Sequence, residues 1–287
     1  MIDDIFVKFD GAFAKNTIRA YRSDFIQYQT WCLKNKTHSI PATADKIAMY
    51  VDYLSGNNKS STIRRRINSL GTVLKLSKNN DPTKRPEVML ALKRMHRKIG
   101  RAQDQATPLT KPLLNQLLSN CDISVRGLRN QVLLRLGYEA MRRRSELCAF
   151  KFEDIGQTFN RKPIIRLNFS KTDQFGAGKI LPLSQELFDL LEKWRRMISG
   201  EGYILRSISR HGHIGNNLNP ANISTILKTL QGKLPAGSNQ QPLSGHSFRV
   251  GAALDLLEQG EPLERIMLRG GWQTDSTAMK YLRNWAM

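Results

Sequence analysis

The chain has 287 residues, enough to bury a sizeable core in one large domain or two small ones. Its 40% hydrophobic content and 20 glycines exclude collagen-like, disordered and disulfide-scaffold classes, and the acidic start MIDDIFVKFD lacks a signal peptide's basic, then apolar, pattern. A net charge of +21 points to a polyanion partner, nucleic acid being the usual one.

No run of apolar residues reaches the roughly 20 a membrane helix needs, so a chain without a membrane partner is expected, working in the cytoplasm in association with DNA. Cys32, Cys121 and Cys148 are odd in number and form no CxxC pair, which suits reduced thiols and offers no metal knuckle. Residues 1–103 carry 20 basic against 8 acidic side chains, and residues 104–287 carry 25 against 16. Both halves are basic, so both could touch one ligand.

Ile18, Tyr21, Phe25, Tyr28 and Cys32 recur at steps of three and four and predict a helix, with Asn16 placed to cap it. A second helix is expected over Ala44 to Leu54, closed by the turn cluster Ser55-Gly56-Asn57-Asn58. A third begins at Ser60 or Ser61 with Ile63, Ile67, Leu70 and Leu74 inward and Arg64, Arg65 and Arg66 on the other side. Val88 to Ile99 is a fourth, displaying Lys93, Arg94, Arg97 and Lys98. Gly100 to Pro108 has almost no bulky apolar residue and reads as a linker, which sets an expected boundary between residues 103 and 104.

Beyond it, Thr110 with Pro112 starts a helix, and Leu128 through Leu147 forms a buried helix broken near Glu139 to Met141. Ile164 to Phe169 and Lys179 to Leu183 read as the strands of a hairpin around the polar loop Ser170 to Gly178. Ser184 caps a helix over Gln185 to Ile198, Asn219-Pro220 precedes one over Ala221 to Leu230 with Gly232 as its stop, and the chain is helical again from His246. The fold class expected is mainly α with a small β-sheet: an all-α N-terminal bundle followed by a mixed α+β domain.

Four local signals in the second half belong together. Arg142, Arg143 and Arg144 end an apolar helix whose flanks want burial, and a buried guanidinium needs an anion or an acid to face. His246 and Arg249 lie three apart and project from one side of a helix that Ser244 or Ser247 opens, followed by Gly251, Ala252 and Ala253, small enough for close packing. Gly270-Gly271-Trp272 marks a turn after a helix over Leu263 to Leu268, and Asp275 or Ser276 caps the next helix, which carries Tyr281. Lys171 sits in the hairpin loop, where an ammonium can swing to a phosphate.

In order and in local context, Arg143, Lys171, the His246-x-x-Arg249 pair, Trp272 and Tyr281 resemble the Arg, Lys, His-x-x-Arg, His/Trp and Tyr set of the tyrosine recombinase (phage integrase) family, in the form found in Cre-like site-specific recombinases. SGHSFRVGAALD, GGW and YLRN carry the likeness, and the N-terminal helices are similar to the family's core-binding domain in pattern. Among the three arginines the resemblance selects Arg143, three before the acid Glu146 and two after Met141. Between Lys171 and Lys179 it selects Lys171, in the hairpin turn.

The resemblance implies breakage and rejoining of double-stranded DNA at specific sites through a 3′-phosphotyrosyl link, without metal, cofactor or ATP, by a DNA-bound homotetramer. A phenol, with an ordinary pKa near ~10, is a poor nucleophile until its proton is taken. Tyr281 would be that nucleophile, Arg143 and Arg249 would meet charge on the non-bridging oxygens, His246 and Trp272 would add hydrogen bonds, Lys171 would be the general acid, and Glu146 would orient the site. Arg64, Arg65, Arg66, Lys93, Arg94, Arg97 and Lys98 are the expected DNA contacts of the first half, in a C-shaped clamp. No arm-binding domain is expected before the first helix, and six residues follow Tyr281 where the family continues with a helix that docks into a neighbouring subunit. The alternatives are a type IB topoisomerase-like relaxing enzyme and a non-catalytic DNA-binding protein.

Overall fold

A computed structural model describes residues 3–102, 104–168, 178–235 and 241–282. The chain divides into two compact units, Met1–Asp104 and Gln105–Met287. The division falls one residue later than the composition shift suggests, and Asp104 pairs with Lys59 of the first unit.

The described part of the first unit is helical: α1 (Asp3–Lys8), α2 (Lys15–Lys34), α3 (Ala44–Leu54), α4 (Ser60–Leu76) and α5 (Pro86–Ile99). Three- and four-residue spacing turns Phe25, Tyr28 and Cys32 of α2 inward against Ile47, Tyr50 and Val51 of α3 and Ile63, Ile67 and Leu70 of α4, all fully or nearly fully buried. Asn16 does not cap α2. Ala14 is the N-cap, and Asn16 lies inside the first turn, where its Oδ1 accepts a hydrogen bond from Arg19 at 2.9 Å. Thr43 does cap α3, its hydroxyl accepting from the Lys46 amide.

Buried Asp24 is the polar feature of this core. It is 1% exposed and faces Arg65, with Arg66 Nε 3.9 Å from its other oxygen. A buried carboxylate is tolerated only when paired, so two of the three consecutive arginines serve the fold.

The second unit runs α6 (Lys111–Ser119), α7 (Val125–Ala140), α8 (Arg144–Ala149), a 3-10 turn (Phe152–Asp154), β1 (Ile155–Gln157), β2 (Pro163–Leu167), β3 (Lys179–Pro182), α9 (Gln185–Met197), α10 (Asn222–Gln231), α11 (Ser247–Glu258), α12 (Leu263–Gly270) and α13 (Asp275–Leu282). The antiparallel sheet has the order β1-β2-β3, with Ile155 opposite Ile165 and Ile165 opposite Leu181. Sequence patterning anticipates β2 and β3 but not β1, whose three residues include a glycine and show no alternation. The loop assigned to Lys171 lies outside the described residues, as does Phe169.

One apolar core gathers α6, α7, α9 and α10 around Phe150, Phe152, Trp194 and Phe248. A second cluster joins Met141 to Val250 and Ala253 of α11, Ile266 of α12, Trp272, and Ala278 and Leu282 of α13. Gly251 lets α11 pack closely against the segment before α6: a Cβ there would stand 1.9 Å from the Leu109 carbonyl oxygen. This second cluster is what assembles segments far apart in the chain around one site.

Candidate active site

Four short segments meet at the site, and local chemistry decides how each presents its side chain. The α7 helix ends at Ala140, and Met141 takes the left-handed conformation with φ 52° as its C-cap. That reversal separates neighbours: Arg142 turns inward and is 3% exposed, while the Arg143 side chain is 29% exposed. Arg143 is the N-cap of α8, and the Glu146 carboxylate reaches back to it, Oε2 accepting from the Arg143 amide at 3.0 Å and Oε1 from its Nη1 at 2.9 Å. Buried Glu146 therefore fixes both the backbone and the guanidinium of Arg143. Arg144 is exposed.

The α11 helix starts after His246, its N-cap residue, whose side chain makes no capping bond. Ser247 Oγ instead accepts from the Ser244 amide at 2.9 Å, so Ser247 opens the helix and the imidazole is left for another partner. That partner is Tyr281 on α13: His246 Nε2 and the phenol oxygen are 2.9 Å apart. Asp275 is the first residue of α13 and not its cap; the Thr277 and Ala278 amides bond back to the Thr274 carbonyl.

Arg249, one turn beyond His246, is 1% exposed and donates from Nη2 to the Gly270 carbonyl at 2.9 Å. Its guanidinium lies 5.0 Å from the centre of the Trp272 ring, and that indole is 5.4 Å from the Tyr281 ring. The buried Nε and Nη1 of Arg249 and the indole Nε1 of Trp272 have no acceptor among the described residues. Buried donors of this kind are costly unless an anion takes them, and a tetrahedral oxyanion matches the guanidinium fork.

Two glycines shape the turn carrying Trp272. Gly271 holds φ +68° as the left-handed C-cap of α12, and a Cβ on Gly270 would fall 2.2 Å from the Trp272 ring. The α12 helix reaches Gly270, two residues beyond the expected end.

Burial first, and then the cations Arg249, Arg143 and Arg144, push the His246 pKa down to about 4, so the imidazole is neutral at neutral pH. It can then accept the phenol proton. Burial, followed by repulsion from Arg143 and Arg142, lowers Arg249 to about 10, which leaves it charged at neutral pH. Among the described residues no group of three or more His, Cys, Asp or Glu side chains is placed to hold a metal ion.

Of the residues singled out from the sequence, Arg143, Glu146, His246, Arg249, Trp272 and Tyr281 come together here, whereas Lys171 lies outside the described residues. The motif reading overlooked Arg142 as a structural element of the site. Its signal was the run of three arginines after a helix break, of which Arg142 alone is buried. Lys179, weighed against Lys171, is described: its Nζ donates to the Leu268 carbonyl of α12. Of the first unit's basic residues, Arg64, Lys93, Arg97 and Lys98 are exposed, Arg94 pairs with Asp52 at 3.2 Å, and Arg65 and Arg66 face Asp24.

Residues 107–286 match the phage integrase family, and residues 5–77 match the phage integrase N-terminal SAM-like domain. The chain is 28% identical to the integrase/recombinase xerD homolog of Selenomonas ruminantium, over 94% of this chain and 82% of that protein. It is 26% identical to the recombinase cre of Escherichia phage P1, over 95% and 85%. Its fold is shared with lambda integrase, in a dimer bound to a core site (TM-score 0.70, 14% identity, 99% of this chain and 94% of that one) and in a tetramer bound to a Holliday junction (TM-score 0.66, 14% identity, 97% and 75%).

Proposed function

The chain belongs to the phage integrase family, and from that premise we propose that Tyr281 breaks one DNA strand at a specific site by forming a 3′-phosphotyrosyl bond, within a homotetramer that synapses two sites. The protein is a tyrosine-type site-specific recombinase.

The observation that carries the proposal is the Tyr281 hydroxyl held 2.9 Å from a neutral imidazole, beside the buried donors of Arg249 and Trp272. The phenol oxygen attacks phosphorus, its proton passes to His246 Nε2, and the bond to the 5′ oxygen breaks. Arg143 and Arg249 receive the charge that builds on the non-bridging oxygens, and Trp272 Nε1 adds a hydrogen bond. The departing 5′ oxygen takes a proton from Lys171, a role that rests on the family resemblance. Glu146 acts through Arg143, whose guanidinium it orients. The new phosphodiester keeps the energy of the old one, so a 5′ hydroxyl from a second strand reverses the attack and completes exchange.

Tetramer assembly on two duplexes is supported by the junction-bound tetramer of lambda integrase, which shares this fold. In the first unit, exposed Arg64, Lys93, Arg97 and Lys98 are the proposed phosphate contacts, while Arg65 and Arg66 stay with Asp24.

The test begins with a duplex site enriched by binding from a random-sequence pool, nicked so that the cleaved end diffuses away. The wild-type protein forms a covalent adduct on it, and Tyr281→Phe binds the same DNA without forming one. A second assay on plasmids with two copies of the site yields deletion or inversion. An adduct that persists in Tyr281→Phe would falsify the nucleophile assignment, and relaxed circles from a plasmid lacking the sites would replace recombination by relaxation.

A further inference from the structure

Three cations converge on the carboxyl end of α12. Lys179 Nζ donates to the Leu268 carbonyl, Arg142 Nη2 to that of Arg269, and Arg249 Nη2 to that of Gly270. The last carbonyls of a helix lack partners within it and carry its negative dipole end, so cations belong there. They come from a strand, from the α7–α8 break and from α11, so one helix end ties three separate segments together.

Of the three, Arg249 alone takes part in the cleavage chemistry, and of the other two Arg142 is the buried one. Its Nε donates to the Ala140 carbonyl at 2.7 Å, so one guanidinium closes the ends of both α7 and α12. It also lies directly against the turn that follows, for a Cβ on Gly271 would stand 2.7 Å from its Nη1. Gly270 holds Arg249, and the next residue after Gly271 is Trp272, whose ring lies 5.0 Å from the Arg249 guanidinium and 5.4 Å from the Tyr281 ring.

We infer that Arg142 is a positioning residue for the cleavage reaction: by joining the α7–α8 break to the Gly270-Gly271 turn, it sets Arg249 and Trp272 where the scissile phosphate's charge develops. The inference rests on the reading of Tyr281 as nucleophile. Arg142 is buried beneath the turn and reaches the DNA only through the groups it places. Its loss is therefore a loss of charge stabilisation in the transition state rather than of DNA affinity.

The experiment compares single-turnover adduct formation on the nicked, binding-selected duplex carrying either the ordinary scissile phosphodiester or a methylphosphonate at that position. A neutral methylphosphonate develops less charge and depends less on where Arg249 stands. Arg142→Leu is expected to slow cleavage of the phosphodiester about a hundredfold, to keep DNA affinity within about twofold, and to show a much smaller deficit on the methylphosphonate. Arg142→Lys, which keeps one donor and the charge, recovers part of the phosphodiester rate. A merely structural role would slow both substrates by the same factor; that result, or a wild-type rate on the phosphodiester, overturns the inference. If Arg142→Leu does not fold, the ratio of the two deficits in Arg142→Lys decides. Wild type and Tyr281→Phe run beside them: absence of a Tyr281-dependent adduct in the wild type would sink the nucleophile reading itself, whatever Arg142 does.

Discussion

His246 and Tyr281 share a hydrogen bond of 2.9 Å between Nε2 and the phenol oxygen, and the imidazole in that bond is uncharged. Burial beside Arg249, Arg143 and Arg144 is the cause: cations that bind a phosphate also expel a proton from a neighbouring ring. In the proposed reaction, phosphate binding and base activation are thereby one arrangement.

The neutral imidazole gives a pH signature in the free protein. In the unfolded chain His246 takes up a proton near its ordinary 6.5, whereas in the folded chain it does so only near 4. Between those values the unfolded state binds more protons, so this contribution to stability is fully present above 6.5 and is lost as pH falls towards 4. Thermal unfolding against pH will show that slope in the wild type and a shallower one in His246→Gln. An imidazole NMR titration with a midpoint at the ordinary value would contradict the assignment.

Arg249→Lys keeps a positive charge but not the fork that reaches Gly270 while leaving donors for a phosphate. Single-turnover adduct formation should fall about 10²- to 10³-fold, the range for losing one preorganised oxyanion donor. DNA affinity should change little. Activity within a few fold of wild type would remove Arg249 from its proposed role.

Glu146→Ala strips buried acceptors from the Arg143 amide and guanidinium. A loss of about 1–3 kcal/mol is expected, as for a buried group left without its partner, read from denaturant midpoints. Glu146→Gln keeps an acceptor and should retain more of both stability and cleavage; equal behaviour of the two variants would argue against the orienting role.

Gly270→Ala places a methyl group 2.2 Å from the Trp272 ring, which must move away from Tyr281. Overpacking of this kind costs about 1–3 kcal/mol. The melting temperature and the adduct rate should fall together, and an unchanged adduct rate would show that Trp272 need not hold its place.

The basic residues of the first unit divide into two kinds. Lys98→Ala or Arg97→Ala should weaken DNA binding and reduce the slope of log affinity against log salt by about 0.9 each. Asp24→Asn should instead lower the melting temperature, because it loosens Arg65 and Arg66 from a buried carboxylate. Salt slopes unchanged in both alanine variants would remove these residues from the phosphate contacts.

Residue order alone carried a good deal. Ala44–Leu54 was readable to the residue because apolar steps of three and four run into a Ser-Gly-Asn-Asn turn, and local pattern is sufficient when one face is buried. The candidate site residues were also singled out by motif, and Arg143, His246, Arg249, Trp272 and Tyr281 stand together in the structure. Other features depended on neighbours from distant segments. Asn16 matched a cap by type, but the helix begins two residues earlier, with Ala14 as its N-cap. Strand β1 exists because Ile165 pairs with Ile155, not because three residues prefer to be extended. Nor could three adjacent arginines be told apart by composition: the left-handed turn at Met141 sends Arg142 under α12 and Arg143 into the site. Charge and motif follow from covalent identity, but direction and depth arise from packing, and for a guanidinium these decide whether it braces a helix end or grips a phosphate.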